Sequence, residues 1–182
     1  GGVIGSNNTA IGQDAGKSLT TGCYNIFFGQ DSGRSTTTAL SNIYLGRDAG
    51  YTSTDGSYNI GIGFDALYST NAYKNVAIGM FAGKCSTLGS QNTFIGGCNT
   101  GYCITSGCCN VVIGTFAGYG NPGTGNDNIF MGTQVARCFT SGASNIALGV
   151  QAGKCITTGG DNIILGSCAA YGGALTGGSN IF

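Results

Sequence analysis

An asparagine that opens a short strand-like segment returns every 16 to 18 residues along the whole 182-residue chain. It stands at Asn8, Asn25, Asn42, Asn59, Asn75, Asn92, Asn110, Asn128, Asn145, Asn162 and Asn180. A period of that length marks a solenoid, whose units are too small to bury their own apolar surface and must stack on their neighbours. Ten units are complete. Gly1 to Asn7 fits the tail of a preceding unit and Asn180-Ile181-Phe182 the start of another, so the array reads as a segment of a longer one.

Composition removes the rival architectures. Glycine supplies 36 residues, and each glycine inside a helix costs roughly 1 kcal/mol relative to alanine, which excludes helical bundles and coiled coils. Collagen is excluded because glycine does not recur every third residue and there is one proline. A hydrophobic content of 41% is too high for disorder. Seven Lys and Arg balance seven Asp, which points away from nucleic acid and anionic membrane surfaces. No apolar run is long enough to span a bilayer. What is left is an all-β chain, a β-roll or β-solenoid of about ten coils.

Counting from each asparagine as position 1, the units align column by column. The first ten asparagines, Asn8 to Asn162, suit a stacked amide ladder, each side chain bonding to the copies above and below. Position 2 is β-branched throughout (Ile26, Val76, Ile163) and position 4 always apolar (Ile11, Phe28, Leu165). Residues two apart share a strand face, so these two rows are expected to form the inner hydrophobic wall. Position 5 is glycine in every unit, implying a corner with positive φ or no room for a Cβ. Small pairs such as Ala15-Gly16 and Ala49-Gly50 at positions 8 and 9 suit a second corner. A coil of this length would hold two short strands, and ten coils at ~4.8 Å would make a rod of about 50 Å. Pro122, in Gly120-Asn121-Pro122-Gly123, belongs in a surface loop.

Position 3 lies on the face opposite to positions 2 and 4, yet it carries Phe27, Tyr44, Phe94, Val112, Phe130 and Ile164. Strands apolar on both sides are covered on both. If a thin roll covers only one face itself, these six residues form an assembly interface, and the economical partner is another copy of the chain.

Four side-chain columns carry the chemistry on offer. Asp14, Asp31, Asp48 and Asp65 all occupy position 7 of successive units. Stacked carboxylates repel unless neutralised, either by a divalent cation such as Ca²⁺ or, the reading preferred here, by the neighbouring Lys17, Arg34 and Arg47. Position 10 is a row of Lys, Arg and Tyr, including Arg34, Tyr51, Tyr68, Lys84, Tyr102 and Tyr119. Such a row could bind glycans by ring stacking or simply cover apolar surface with its stems. Nine cysteines leave at least one unpaired in the chain. Cys85, Cys138 and Cys155 share position 11, and Cys98 and Cys168 share position 7, all read as small buried thiols. Cys138 and Cys155 fall in adjacent coils and are the candidate disulfide, with Cys103, Cys108 and Cys109 a second cluster. Without His to help, a metal site at the cysteines is not expected. With neither His nor Glu, no nucleophile–base pair stands out, so an enzyme is not expected. The Thr pairs that could order ice are interrupted by Asn71, Leu88 and the Pro122 loop.

Units of the form Asn-Thr-Ala-Ile-Gly-x-x-Ala-Gly, as in Asn8 to Gly16, with Thr-Thr-Gly-x-x-Asn links, resemble repeats of phage and giant-virus tail-fibre proteins. They are more distantly similar to head repeats of trimeric autotransporter adhesins, which are shorter, and nine cysteines are unusual for either family. The resemblance implies a parallel homotrimeric β-roll on a virion or cell surface. The function expected is a structural shaft that projects an adhesive tip. A glycan-binding shaft or an extracellular homopolymeric filament are the alternatives.

Overall fold

The structure is a computed structural model that describes residues 5–120 and 123–182. The chain is an all-β solenoid without a helix among the described residues. Its strands are β1 (Thr9–Ile11), β2 (Ile26–Phe28), β3 (Ile43–Leu45), β4 (Ile60–Ile62), β5 (Val76–Met80), β6 (Thr93–Cys98), β7 (Val111–Ile113), β8 (Ile129–Met131), β9 (Ile146–Leu148) and β10 (Ile163–Leu165). Each pairs in parallel with the next, so the sheet order is the chain order. The register is like on like: Ile26 pairs Ile43, Phe27 pairs Tyr44 and Phe28 pairs Leu45. Each coil contributes one strand to this sheet. The second strand expected is reduced to isolated bridges, such as Ile156 to Leu175. The turn assigned to Asn121 and Pro122 lies outside the described residues, as do the first four residues of the leading tail. Gly5 joins the stack by donating to the carbonyl of Thr20, 2.8 Å, and Ile181 by bridging to Ile163.

The asparagine column is buried from Asn25 to Asn162 and does two jobs. Within a coil, Asn25 Nδ2 donates to the carbonyl of Ala39, 2.8 Å, closing the loop. Between coils, its Oδ1 accepts the backbone N–H of Asn42 at 2.9 Å. Further along, the amides also bond each other directly: Asn110 Nδ2 reaches Asn92 Oδ1, and Asn128 Nδ2 reaches Asn110 Oδ1, both at 3.0 Å. Only a short side chain with donor and acceptor on one atom plane satisfies both directions.

Glycine at position 5 is required twice over. Gly46 has φ 135°, and a Cβ there would stand 2.5 Å from the carbonyl oxygen of Gly63 in the next coil. At position 9, a Cβ on Gly33 would lie 2.6 Å from the Phe27 ring, so the backbone rests directly on the aromatic face.

The interior corrects the expected sidedness of the strand. Phe27, Tyr44, Phe94, Val112, Phe130 and Ile164 are fully buried within their own chain and form its core. They cannot be an assembly interface. Positions 2 and 4 face outward instead, leaving Ile11 53%, Phe28 55% and Leu165 53% exposed. The reason is volume. A 17-residue coil with glycine corners encloses one side chain from its strand in each layer, not two. Within that limit the contents differ from layer to layer. Large Tyr44 faces Ser53, its hydroxyl 3.1 Å from Ser53 Oγ, and burial pushes the phenol up to about 12. Small Ala147 shares its coil with Ile156, and Gly61 with Leu67, all buried. Phe130 and Phe139 meet edge to face at 5.1 Å.

Asn110→Ala would leave the buried N–H of Asn128 and carbonyl of Gly125 without side-chain partners. At about 1–3 kcal/mol for each group stranded, chemical denaturation should show a loss of about 3 kcal/mol. The exposed Ser106→Ala should stay within about 0.5 kcal/mol of the wild type.

Candidate functional site

The outer face of the sheet is the largest continuous feature of the surface. Positions 2 and 4 of ten strands place twenty side chains on it, all apolar except Thr9 and Thr93. The exposed members include Ile26, Phe28, Ile78, Met131 and Leu165. No pocket forms among the described residues, so the features available to a ligand are columns and faces.

The carboxylate column is met by bases. Lys17 pairs with Asp14 at 3.3 Å, and Arg34 spans Asp14 and Asp31 at 3.7 and 3.5 Å. Arg47 pairs with Asp48 at 3.4 Å. Lys84, which the sequence did not single out as a partner, lies 2.7 Å from the buried Asp65. Burial works against the Lys84 charge, but the hydrogen bond and charge of Asp65 outweigh it and hold the ammonium above its usual range. Burial, and next the charge of Asp65, raises Asp48. No group of three or more metal-ligating side chains forms among the described residues. Each of Asp14, Asp31, Asp48 and Asp65 thus has a basic partner. A second reason for aspartate here is the backbone, because each of the four has φ between 54° and 59°, a left-handed conformation that Asp and Asn tolerate better than most. That preference was available in the sequence.

The position 10 row forms a ridge in which each ring is used by its neighbour. Tyr51 and Tyr68 stack with centroids 5.1 Å apart and planes within 5°. Tyr102 and Tyr119 do so at 5.4 Å. Arg34 covers Tyr51, and Lys84 lies 5.2 Å from the Tyr68 ring centroid. Sugars stack on ring faces, and here these faces are turned to the next coil, so the ridge offers mainly edges and hydroxyls. The threonine column is likewise turned inward in its hydrogen bonding. Thr37 Oγ1 donates to the Thr54 carbonyl at 3.1 Å and Thr140 Oγ1 to the Thr157 carbonyl at 2.8 Å. Those hydroxyl protons tie coils together and are not free to order water.

The cysteines are rearranged relative to expectation. None is fully buried, and none is in a disulfide. The extra residue of the sixth unit sits at the end of β6, where the register slips after Ile78. Asn99, with φ 52°, therefore takes the corner held elsewhere by position 7, and Cys98 moves to the position before it, no longer equivalent to Cys168. The same slip brings Cys103 into the column of Cys85, Cys138 and Cys155. Cys138 and Cys155 have Sγ atoms 3.8 Å apart. Burial pushes the Cys103 thiol up to about 12, with its hydrogen bond and charge interaction with Cys85 adding to the shift. The expected cluster of Cys103 with Cys108 and Cys109 does not form as one site: the backbone N–H of Cys108 bonds Asn126, and the Cys109 thiol turns to Gln91.

No helix among the described residues is long and apolar enough to cross a membrane. No family model matches the chain, and neither a curated protein nor a solved structure matches it.

Lys84→Met would leave the Asp65 carboxylate buried without its cation and should cost about 3 kcal/mol in denaturant unfolding. Adding Asp65→Asn should restore most of that loss. Asp48 behaves differently from most paired carboxylates, because burial and the charge of Asp65 outweigh its pairing with Arg47. The folded chain holds its proton more tightly than the unfolded one, so its ionisation removes stability as pH rises past the ordinary value of 3.8. Asp48→Asn should therefore raise Tm at pH 7 and give no such gain at pH 3.

Proposed function

We propose that this chain is a shaft segment of an extracellular or virion-surface fibre. It would be built as a parallel homotrimer whose protomers cover one another's outer sheet faces, and it would carry no catalytic step. The observation that supports this reading is the apolar outer face of β1 to β10. Twenty residues is the number that a standard protein–protein interface draws from one partner, about 20–30 for roughly 800 Å². A contiguous apolar face of this size is more than a soluble monomer ordinarily leaves open.

A second copy of the chain is the partner whose chemistry fits. The face repeats at the strand spacing of ~4.8 Å, and another copy presents the same rows at the same interval. Side chains can then mesh along the whole length. A globular partner has no such period. Three chains and parallel orientation follow the resemblance to tail-fibre repeats and autotransporter heads. The mechanical role follows from the bonding: each coil is tied to the next by sheet, asparagine and threonine hydrogen bonds, so axial load is shared by every layer. A shaft of this kind holds whatever lies at its tip away from the surface.

Sedimentation under reducing conditions should give a particle near three times the chain mass of 18.2 kDa. The outward Ile62→Asp/Ile95→Asp double variant should sediment as a single chain with an unchanged β-type circular dichroism spectrum. The inward Phe94→Asp should not fold. A wild-type chain that sediments at 18.2 kDa would overturn the reading, and open-ended species growing with concentration would replace it with an end-to-end filament.

A further inference from the structure

Position 11 runs along one side of the solenoid as a column of hydroxyls from Ser18 to Ser69 and then of thiols at Cys85, Cys103, Cys138 and Cys155. Its register is set by the backbone. The N–H of Cys85 donates to the carbonyl of Tyr102 at 2.9 Å, and that of Cys138 to the carbonyl of Lys154 at 2.8 Å. The same bond runs from Ser18 to Arg34 and from Ser35 to Tyr51. Cys85 therefore lies beside Cys103, and Cys138 beside Cys155, in each case across one coil-to-coil step.

That step decides which chemistry the thiols suit. In-register neighbours keep their Cβ atoms near the strand spacing of ~4.8 Å, whereas a disulfide wants Cβ atoms about 3.8 Å apart and sulfurs about 2.05 Å apart. Forming one means tilting two parallel Cα–Cβ bonds towards each other until the Cβ atoms close by about 1 Å, against a backbone held by the sheet and asparagine ladders. A single ion held between two thiolates has a different requirement. With metal–sulfur bonds of about 2.3 Å, a linear bridge spans roughly 4.6 Å, close to the spacing the coils impose. The Sγ atoms of Cys138 and Cys155, at 3.8 Å, reach that span by small side-chain rotations. Because each pair offers two donors and no third metal-ligating side chain joins them, ions that require four ligands are not served. Thiolate selects soft cations, and the nearby charge of Lys154 favours the thiolate of Cys155.

We propose that the Cys138–Cys155 and Cys85–Cys103 pairs each bind one monovalent soft cation, Cu(I) or an ion of its class, as a two-coordinate bis-thiolate bridge between neighbouring coils. Two thiols and one Cu(I) give a bridge of net charge −1 and two released protons, with no change in oxidation state. The bridge clips adjacent coils without displacing them.

The test uses the full chain, reduced, desalted under anaerobic conditions and titrated with Cu(I) as its acetonitrile complex against a chromophoric Cu(I) chelator. Two equivalents per chain should be withheld from the chelator, and X-ray absorption should show copper with two sulfur neighbours. Cys155→Ser should withhold one equivalent and Cys103→Ser/Cys155→Ser none. Cys23→Ser/Cys109→Ser, outside the column, should still withhold two. Serine already occupies this column in the first coils, so these variants keep the fold, which circular dichroism checks. Full copper retention by Cys103→Ser/Cys155→Ser, or three sulfurs per copper, would overturn the assignment. So would rapid, quantitative Cys138–Cys155 disulfide formation on exposure to oxidised glutathione.

Discussion

Everything in this molecule depends on the coil-to-coil register, and the buried asparagine column enforces it. A parallel sheet of three-residue strands has few bonds per strand with which to resist slipping. Asn110 adds to them from inside the coil, accepting from Asn128 and donating to Asn92 and to the Gly125 carbonyl. Because those groups are buried, a coil displaced by one residue would strand donors and acceptors in an apolar interior, where each costs about 1–3 kcal/mol. With the register held, equivalent positions fall on top of one another, and every other feature is a consequence of that superposition. Ring lies over ring, Arg34 reaches across to Asp14, and thiol lies beside thiol.

Superposition also explains how so irregular a set of core residues can fill so regular a shell. The outer dimensions of a coil are set by its glycine corners, so contents that differ in size, from Ala77 with Ser86 to Phe130 with Phe139, are packed against the layers above and below. Tyr44 is answered by Ser53, Ala147 by Ile156 and Gly61 by Leu67. Leu67 shows the strength of this demand. It holds φ 49° at a corner where the other coils place glycine or, at Ala136 and Ala170, alanine, a conformation that costs a non-glycine residue roughly 1–2 kcal/mol. Its side chain is fully buried, close enough to the next coil that a Cβ on Gly83 would stand 3.0 Å from it, and that burial offsets the strain. The same tolerance appears at position 7, where Phe81 and Phe116 stay left-handed at 59° and 56° because the ladders on either side leave the chain no other path.

The coil distributes its surface chemistry by position. The sheet face is apolar and without charge. The corner after it carries ion pairs and aromatic–cation contacts, such as Arg47 4.4 Å from the Phe64 ring centroid. Exposed contacts of this kind contribute about 0.5–1 kcal/mol each, so they mainly keep the columns coherent. Further along the coil the hydroxyl and thiol column marks a third surface. A rod of this design can therefore associate through one side while keeping the others polar.

Much of this was legible in the order of the residues, because a solenoid writes its period directly into the chain. The repeat of Asn, the unbroken glycine at position 5 and the β-branched residues at position 2 were sufficient for the all-β coil, its length and its amide ladder. The ion pairing of the first three aspartates was also legible, since Lys17 and Arg34 follow theirs by three residues and Arg47 adjoins Asp48, whereas the pairing of Asp65 with Lys84 across coils was not. Which strand face turns inward was not. Strand periodicity is two, and a segment such as Ile26-Phe27-Phe28 is apolar on both sides, so alternation alone reads equally well either way. Only closure of the coil decides, by leaving room for one strand side chain in each layer. The place of Cys103 was hidden for a related reason. A single inserted residue changes the count along the chain, but the extra residue is absorbed at the end of β6, and the hydrogen bonds beyond it restore the columns. Sequence determined the period and the chemistry of each row; tertiary structure decided the sides and the neighbours, because those depend on enclosed volume and on bonds between residues some seventeen positions apart.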